Sequence, residues 1–189
     1  MAGEPRLQSE PLLDALTGAG VDFVVIGGVA MRLLGSDTIT YDLDICFARD
    51  RDNLERLSRA LTKLEAKLRG VDDEVAFTPD PVLLDKVEVL SLTTPYGDFD
   101  ALTVPAGAPR YKTLRDRAET VDFKGREVRV ASVPHMIAMK EAVGRPKDLT
   151  SVEELKAIRR LRRGDPPRDS FGQTSAEVLR KLRDTPADD

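Results

Sequence analysis

Two aspartates, Asp42 and Asp44, stand two residues apart in the run TITYDLDICF at 38–47. The run alternates: Ile39, Tyr41, Leu43, Ile45 and Phe47 share one parity, and Thr38, Thr40, Asp42, Asp44 and Cys46 share the other. On a strand this puts both carboxylates on one side, about 6.5–7 Å apart along the backbone. Asp is disfavoured in strands, so two in a strong strand need a reason. A solvent-facing side is one reason, and a divalent cation between the carboxylates is another. Mg²⁺ suits the second, because it binds one or two carboxylates together with water and substrate phosphates.

Three further groups bear on that choice. Gly27-Gly28 lies between an apolar run and a short helical segment. It is either a plain strand-to-helix turn or a place where phosphate approaches bare backbone N–H groups and a helix dipole. Asp100, in Gly-Asp-Phe-Asp at 97–100, offers a third carboxylate, with Asp98 of the same parity as the runner-up. Three carboxylates on adjacent strands suit two metal ions and in-line displacement at a nucleotide α-phosphate. Lys140, Arg145, Lys147 and Asp148 cluster in MIAMKEAVGRPKDL. They form either a solvated surface turn or a cationic group set against a triphosphate.

Other chemistries are excluded by scarcity. The chain has 189 residues with one Cys and one His, against 33 Asp and Glu. One Cys rules out an internal disulfide, and a single Cys with a single His argues against a tetrahedral zinc site, which wants three or four His/Cys ligands. His135 reads as a helix-start or surface residue and Cys46 as a small buried filler. The net charge of −4 argues against a protein that coats nucleic acid broadly. The basic run Lys156, Arg159, Arg160, Arg162 and Arg163 is either a face for an RNA backbone or a solvated helix paired with Glu153 and Glu154. No stretch reaches the roughly 18–20 apolar residues of a membrane helix, and no signal peptide opens the chain. A cytoplasmic protein is therefore expected.

The elements that must position these groups follow from pattern. Helices are expected over 11–19, 29–34, 50–69, 111–118 and 134–143, with strands over 22–26 and 38–47. Hairpins are expected over 86–93 with 99–104, and within 121–133. Residues 70–81 and 144–148 read as loops, and Ser151-x-x-Glu154 as a capping box opening a helix to about 163. Residues 164–172 read as a linker before a last helix at 175–184. The fold class is α/β (α+β), with a mixed, mostly antiparallel sheet of four to six strands flanked by helices. Residues 1–133 form the core, and residues 134–189 form a C-terminal helical segment that packs on it and closes the cleft.

IGGVAMRLLGSDTITYDLDI followed by GDFDAL resembles the polymerase-β-like nucleotidyltransferase superfamily. TITYDLDI, GDFDALTVP and VRVASVPHMIAMKEAVGRPKDLTSVEEL resemble more closely the MenT/AbiEii-like nucleotidyltransferase toxins of bacterial toxin–antitoxin systems. That resemblance implies a nucleotidyltransferase fold and catalytic roles for Asp42, Asp44, Asp100, Lys140 and Asp148. Asp42, Asp44 and Asp100 would be the metal ligands, and Asp100 would also deprotonate the incoming hydroxyl. Gly27, Gly28, Thr40, Lys140 and Arg145 would bind the nucleotide. The cofactor would be Mg²⁺ or Mn²⁺ and the substrate an NTP, with CTP or UTP favoured. The acceptor would be the tRNA 3′ end, whose extension blocks aminoacylation and translation. A cognate antitoxin is the expected protein partner, and Thr40 a candidate for its modification. Gly28 departs from the superfamily's frequent Ser and removes a hydroxyl contact to phosphate. A small-molecule or protein acceptor, and a non-catalytic nucleotide-binding module, are the alternative readings.

Overall fold

The computed structural model describes residues 7–71, 77–164 and the single positions 174, 177 and 180. The chain opens with α1 (Ser9–Gly18), β1 (Phe23–Ile26), α2 (Gly27–Leu33), β2 (Asp42–Phe47) and α3 (Arg51–Lys63). It continues through β3 (Lys67–Leu68), α4 (Pro81–Lys86), β4 (Val89–Thr94), β5 (Gly97–Leu102) and α5 (Tyr111–Asp116). A second hairpin, β6 (Glu119–Phe123) and β7 (Arg126–Val130), leads into α6 (Val133–Val143) and α7 (Pro146–Arg162).

Among the described residues, the strands form one seven-stranded sheet in the order β3-β4-β5-β2-β1-β7-β6. The β1–β7 and β2–β5 pairs are parallel and the other four are antiparallel. The sheet is thus mixed and mostly antiparallel, with one strand more than the sequence pattern suggests. The extra strand is β3. Residues 50–69 read as one helix because Leu54, Leu57, Leu61, Leu64 and Leu68 keep helical spacing. The helix ends at Lys63 instead, because Glu65 takes a left-handed φ of 51° and turns the chain back. Lys67 and Leu68 then pair with Thr93 and Leu92 on β4.

The strand expected over 38–47 begins only at Asp42. Ile39 and Tyr41 keep the apolar parity, yet they are 73% and 75% exposed. Among the described residues, no strand pairs with this segment, so parity alone does not bury them. Past Asp42 the pattern holds: Leu43, Ile45 and Phe47 are buried with Phe99, Leu92 and the leucines of α1 and α3 in one core. Each such side chain contributes about 1.5–3 kcal/mol by leaving water. Asn53 pins the far end of the central strands. It is fully buried, accepts from the Asp22 amide at 2.6 Å, and donates to the Asp22 and Ala48 carbonyls at 3.0 and 2.8 Å.

Three boundaries also move near the site and its flank. Residues 77–80 are loop, but Pro81 opens α4, capped by Asp80, which accepts from the Val82 and Leu83 amides. β4 accordingly starts at Val89. The expected loop at 144–148 is two residues long: Gly144 ends α6 with φ 66°, and α7 begins at Pro146. Ser151 therefore lies inside α7, donating to the Lys147 carbonyl, and forms no capping box. The expected linker and last helix fall largely outside the described residues. Among the described residues, no helix is long and apolar enough to cross a membrane.

Candidate active site

The site sits at one end of the central strands. β2 and β5 run parallel in a register that sets Asp42 beside Asp98 and Asp44 beside Asp100. One carboxylate oxygen from each of Asp42, Asp44 and Asp100 lies within 4.8 Å of the others. Burial, then the charges of Asp42 and Asp100, push the Asp44 carboxyl up to about 7, against the opposing pull of Lys140 and Arg69. A compact, partly buried set of three hard oxygen donors short of positive charge fits a divalent cation such as Mg²⁺ or Mn²⁺.

β1 ends beside this group, with Ile26 opposite Asp44. Gly27 takes a left-handed φ of 66°, and a Cβ there would stand 2.0 Å from the Asp44 Oδ2. At Gly28 a Cβ would stand 2.3 Å from the Thr40 hydroxyl oxygen. Both positions exclude a side chain, which leaves bare backbone facing the acids. Thr40 Oγ1 lies 3.2 Å from the Asp42 Oδ1 and donates to the Asp42 carbonyl at 3.1 Å.

The opposite wall comes from α6 and α7. Lys140 Nζ donates to the Asp148 Oδ1 at 3.0 Å, and Arg145 Nε to the Asp148 Oδ2 at 2.7 Å. Asp148 is fully buried in the first turn of α7. The Arg145 hydrogen bond, with Lys140 adding to it, overcomes burial and holds its carboxyl down at about 2. Asp148 thus works through its partners: it fixes Lys140 and Arg145 at the mouth of a cleft of about 710 Å³. Gly27, Gly28, Thr40, Asp42, Asp44, Asp100, Lys140, Arg145 and Asp148 all line that cleft, while Asp98 and the basic run of α7 do not. Thr38 ties the two walls together, its hydroxyl donating to Glu154 on α7 at 2.9 Å.

No family model matches the chain, and no curated protein matches it. Solved structures do. The lincosamide antibiotic adenylyltransferase LnuA, in its lincomycin-bound crystal structure, superposes with a TM-score of 0.56 at 18% identity, over 81% of this chain and 99% of that one. The chain has the nucleotidyltransferase fold. Weaker likenesses are ANT(2″)-Ia with adenylyl-2″-tobramycin (TM-score 0.46, 18% identity, 82% and 95% of the two chains) and a candidate nucleotidyltransferase from Thermotoga maritima (0.43, 15%, 87% and 99%).

Some residues stand apart from the cleft. His135 lies near the start of α6, where its Nδ1 is 3.1 Å from the Ser132 hydroxyl. Cys46 is buried, and burial pushes its thiol up to about 12, as befits an inert filler. In the basic run of α7, Lys156 pairs with Glu153, while Arg162 donates to Glu119 and to the Leu34 carbonyl. Arg162 therefore fastens α7 to the core. Sequence reasoning missed Arg69, whose guanidinium grips Asp100 at 2.7 and 2.9 Å and Asp98 at 3.1 Å. Its signal was the alternation Lys67-Leu68-Arg69, hidden by the helical leucine spacing.

Proposed function

We propose that this protein is a divalent-cation-dependent nucleotidyltransferase that adds nucleotides from an NTP to the 3′ acceptor end of tRNA. In this reading it is the toxin of a toxin–antitoxin pair, acts in the cytoplasm, favours CTP or UTP, and is held in check by a cognate antitoxin. The observation that carries the chemistry is the convergence of Asp42, Asp44 and Asp100 on a side-chain-free glycine turn, with Lys140 and Arg145 facing them.

Asp42, Asp44 and Asp100 would hold the cation. Bound there, Mg²⁺ supplies charge neutralisation and polarisation at the α-phosphate. The Gly27-Gly28 backbone and the Thr40 hydroxyl receive the phosphates. Lys140 and Arg145 offset the charge that builds on the departing pyrophosphate, at positions Asp148 has already fixed. Asp100 takes the proton of the acceptor hydroxyl. The bond from that oxygen to the α-phosphorus forms, the bond to the bridging oxygen breaks, and pyrophosphate leaves. The run of residues 139–149, in which Lys140 is bonded to the buried Asp148, supports the toxin reading of the acceptor.

A second reading keeps the chemistry and changes the acceptor to a small hydroxyl compound. The likeness to LnuA, whose structure contains lincomycin, favours it. The test is transfer of label from each of four α-labelled NTPs, with Mg²⁺, to total tRNA and, separately, to a panel of aminoglycosides and lincosamides. Label in tRNA supports the first reading. Label only in the small molecules supports the second. No transfer by folded protein refutes both.

A further inference from the structure

The carboxylate face has one more acid than a cation needs. Asp42 and Asp98 are register partners on β2 and β5, as are Asp44 and Asp100. Like charges paired across neighbouring strands destabilise a sheet. Asp98 has the same parity as Asp100 and flanks Asp42 directly. Yet the oxygens that converge belong to Asp42, Asp44 and Asp100.

Arg69 accounts for the difference. It follows β3 directly, and its amide donates to the Ser91 carbonyl at 3.0 Å, which fixes its backbone at the edge of β4. From there the side chain reaches over β4 to β5. Nη2 donates to both oxygens of Asp100, at 2.7 and 2.9 Å, and Nη1 lies 3.1 Å from the Asp98 Oδ2. The planar fork spans two acids that stand two residues apart, which a lysine ammonium cannot reproduce. The side chains of Arg69 and Asp100 are 33% and 18% exposed, so water screens this contact only in part.

We propose that Arg69 is a positioning residue for the third acid: it holds Asp98 away from the cation position, orients Asp100 toward Asp42 and Asp44, and keeps one positive charge against the acid face. This deepens the functional reading above and rests on it for the role of Asp100. The assignment of Arg69 can also be judged without any transfer activity.

The experiment is a double-mutant cycle read by Mn²⁺ binding to the full chain, with thermal melts to verify folding. In the wild-type background, Asp98→Asn is expected to change Mn²⁺ affinity less than threefold, because Arg69 already occupies Asp98. Arg69→Gln is expected to tighten Mn²⁺ binding about fivefold, because Asp98 is released to join the site. In that background Asp98→Asn should weaken binding at least fivefold, because the released Asp98 has joined the site. Arg69→Lys keeps the charge but not the fork that holds Asp98, so it too should tighten Mn²⁺ binding, by less than the Gln variant. It also keeps the test decisive if the Gln variant does not fold, since Asp98→Asn should then weaken binding in the Lys background alone. At saturating Mn²⁺ and NTP, kcat should fall at least tenfold in both Arg69 variants. An Asp98→Asn effect that is the same with and without Arg69 overturns the proposal, whether or not the wild type transfers nucleotide. If the cycle holds and no transfer occurs with any acceptor, the functional reading fails and the Arg69 assignment stands.

Discussion

Replacing Asp148 by Asn tests how the cationic wall of the cleft is held. Asp148 is fully buried and accepts from Lys140 and Arg145, whose side chains are 18% and 55% exposed. Its carboxyl is held at about 2, against an ordinary value of 3.8. A folded-state pKa below the unfolded one means that the unfolded chain binds the proton more readily. The stabilisation is therefore complete above about pH 4 and is lost as pH falls toward 2. Nearly two units of depression correspond to about 2 kcal/mol at pH 7. The amide of Asn would also turn an N–H pair toward the Lys140 and Arg145 donors, which opposes the swap further. The variant should lose about 2–3 kcal/mol, or about 5–10 °C in Tm for a chain of this size. Urea unfolding followed by circular dichroism at pH 7 and at pH 2.5 measures both parts. The gap between wild type and variant should be open at pH 7 and mostly closed at pH 2.5. A gap of the same size at both pH values would refute the reasoning, as would no gap at pH 7.

Gly27→Ala should cost about 2 kcal/mol, from a left-handed φ of 66° and a Cβ placed 2.0 Å from the Asp44 Oδ2; a thermal melt and titration with a fluorescent nucleotide should show lowered Tm and lost binding together. Asn53→Ala removes three hydrogen bonds at the far end of β1 and β2 and should cost about 2–4 kcal/mol. Activity per folded molecule should hold, so a large fall in kcat at low temperature would contradict the assignment of Asn53 to the scaffold. Arg160→Glu with Arg163→Glu should raise KM for tRNA several-fold and weaken its salt dependence while KM for NTP stays constant, if α7 carries the RNA; equal KM values for tRNA would remove α7 from the acceptor surface.

What the sequence made legible is what local rules govern. The alternation through Asp42 and Asp44, the hairpins around Tyr96 and Lys124-Gly125, and the Gly27-Gly28 turn all depend on period and on left-handed backbone positions. The placement of Lys140 opposite the acids depends on how α6 and α7 pack against the sheet, so its cluster read from the sequence equally as a surface turn. Errors arose where two local signals competed. Leu64 and Leu68 prolong a helical pattern that Glu65 breaks by adopting φ 51°. Ser151 and Glu154 imitate a cap although Pro146, five residues earlier, is the true start of α7. Ile39 and Tyr41 carry strand parity without a partner strand. The short alternation at 67–69 hinted at a strand, but the role of Arg69 rests on the joint register of β3, β4 and β5, which no spacing along the chain encodes.

Whether Asp42, Asp44 and Asp100 serve nucleotidyl transfer to RNA is decided by incubating the wild type and Asp42→Asn with α-labelled and γ-labelled CTP, Mg²⁺ and purified tRNA. Label is expected on the tRNA 3′ end from the α-labelled nucleotide only, and none with Asp42→Asn or with EDTA. Label from the γ-position, or undiminished α-label transfer by a folded Asp42→Asn variant, would contradict that role.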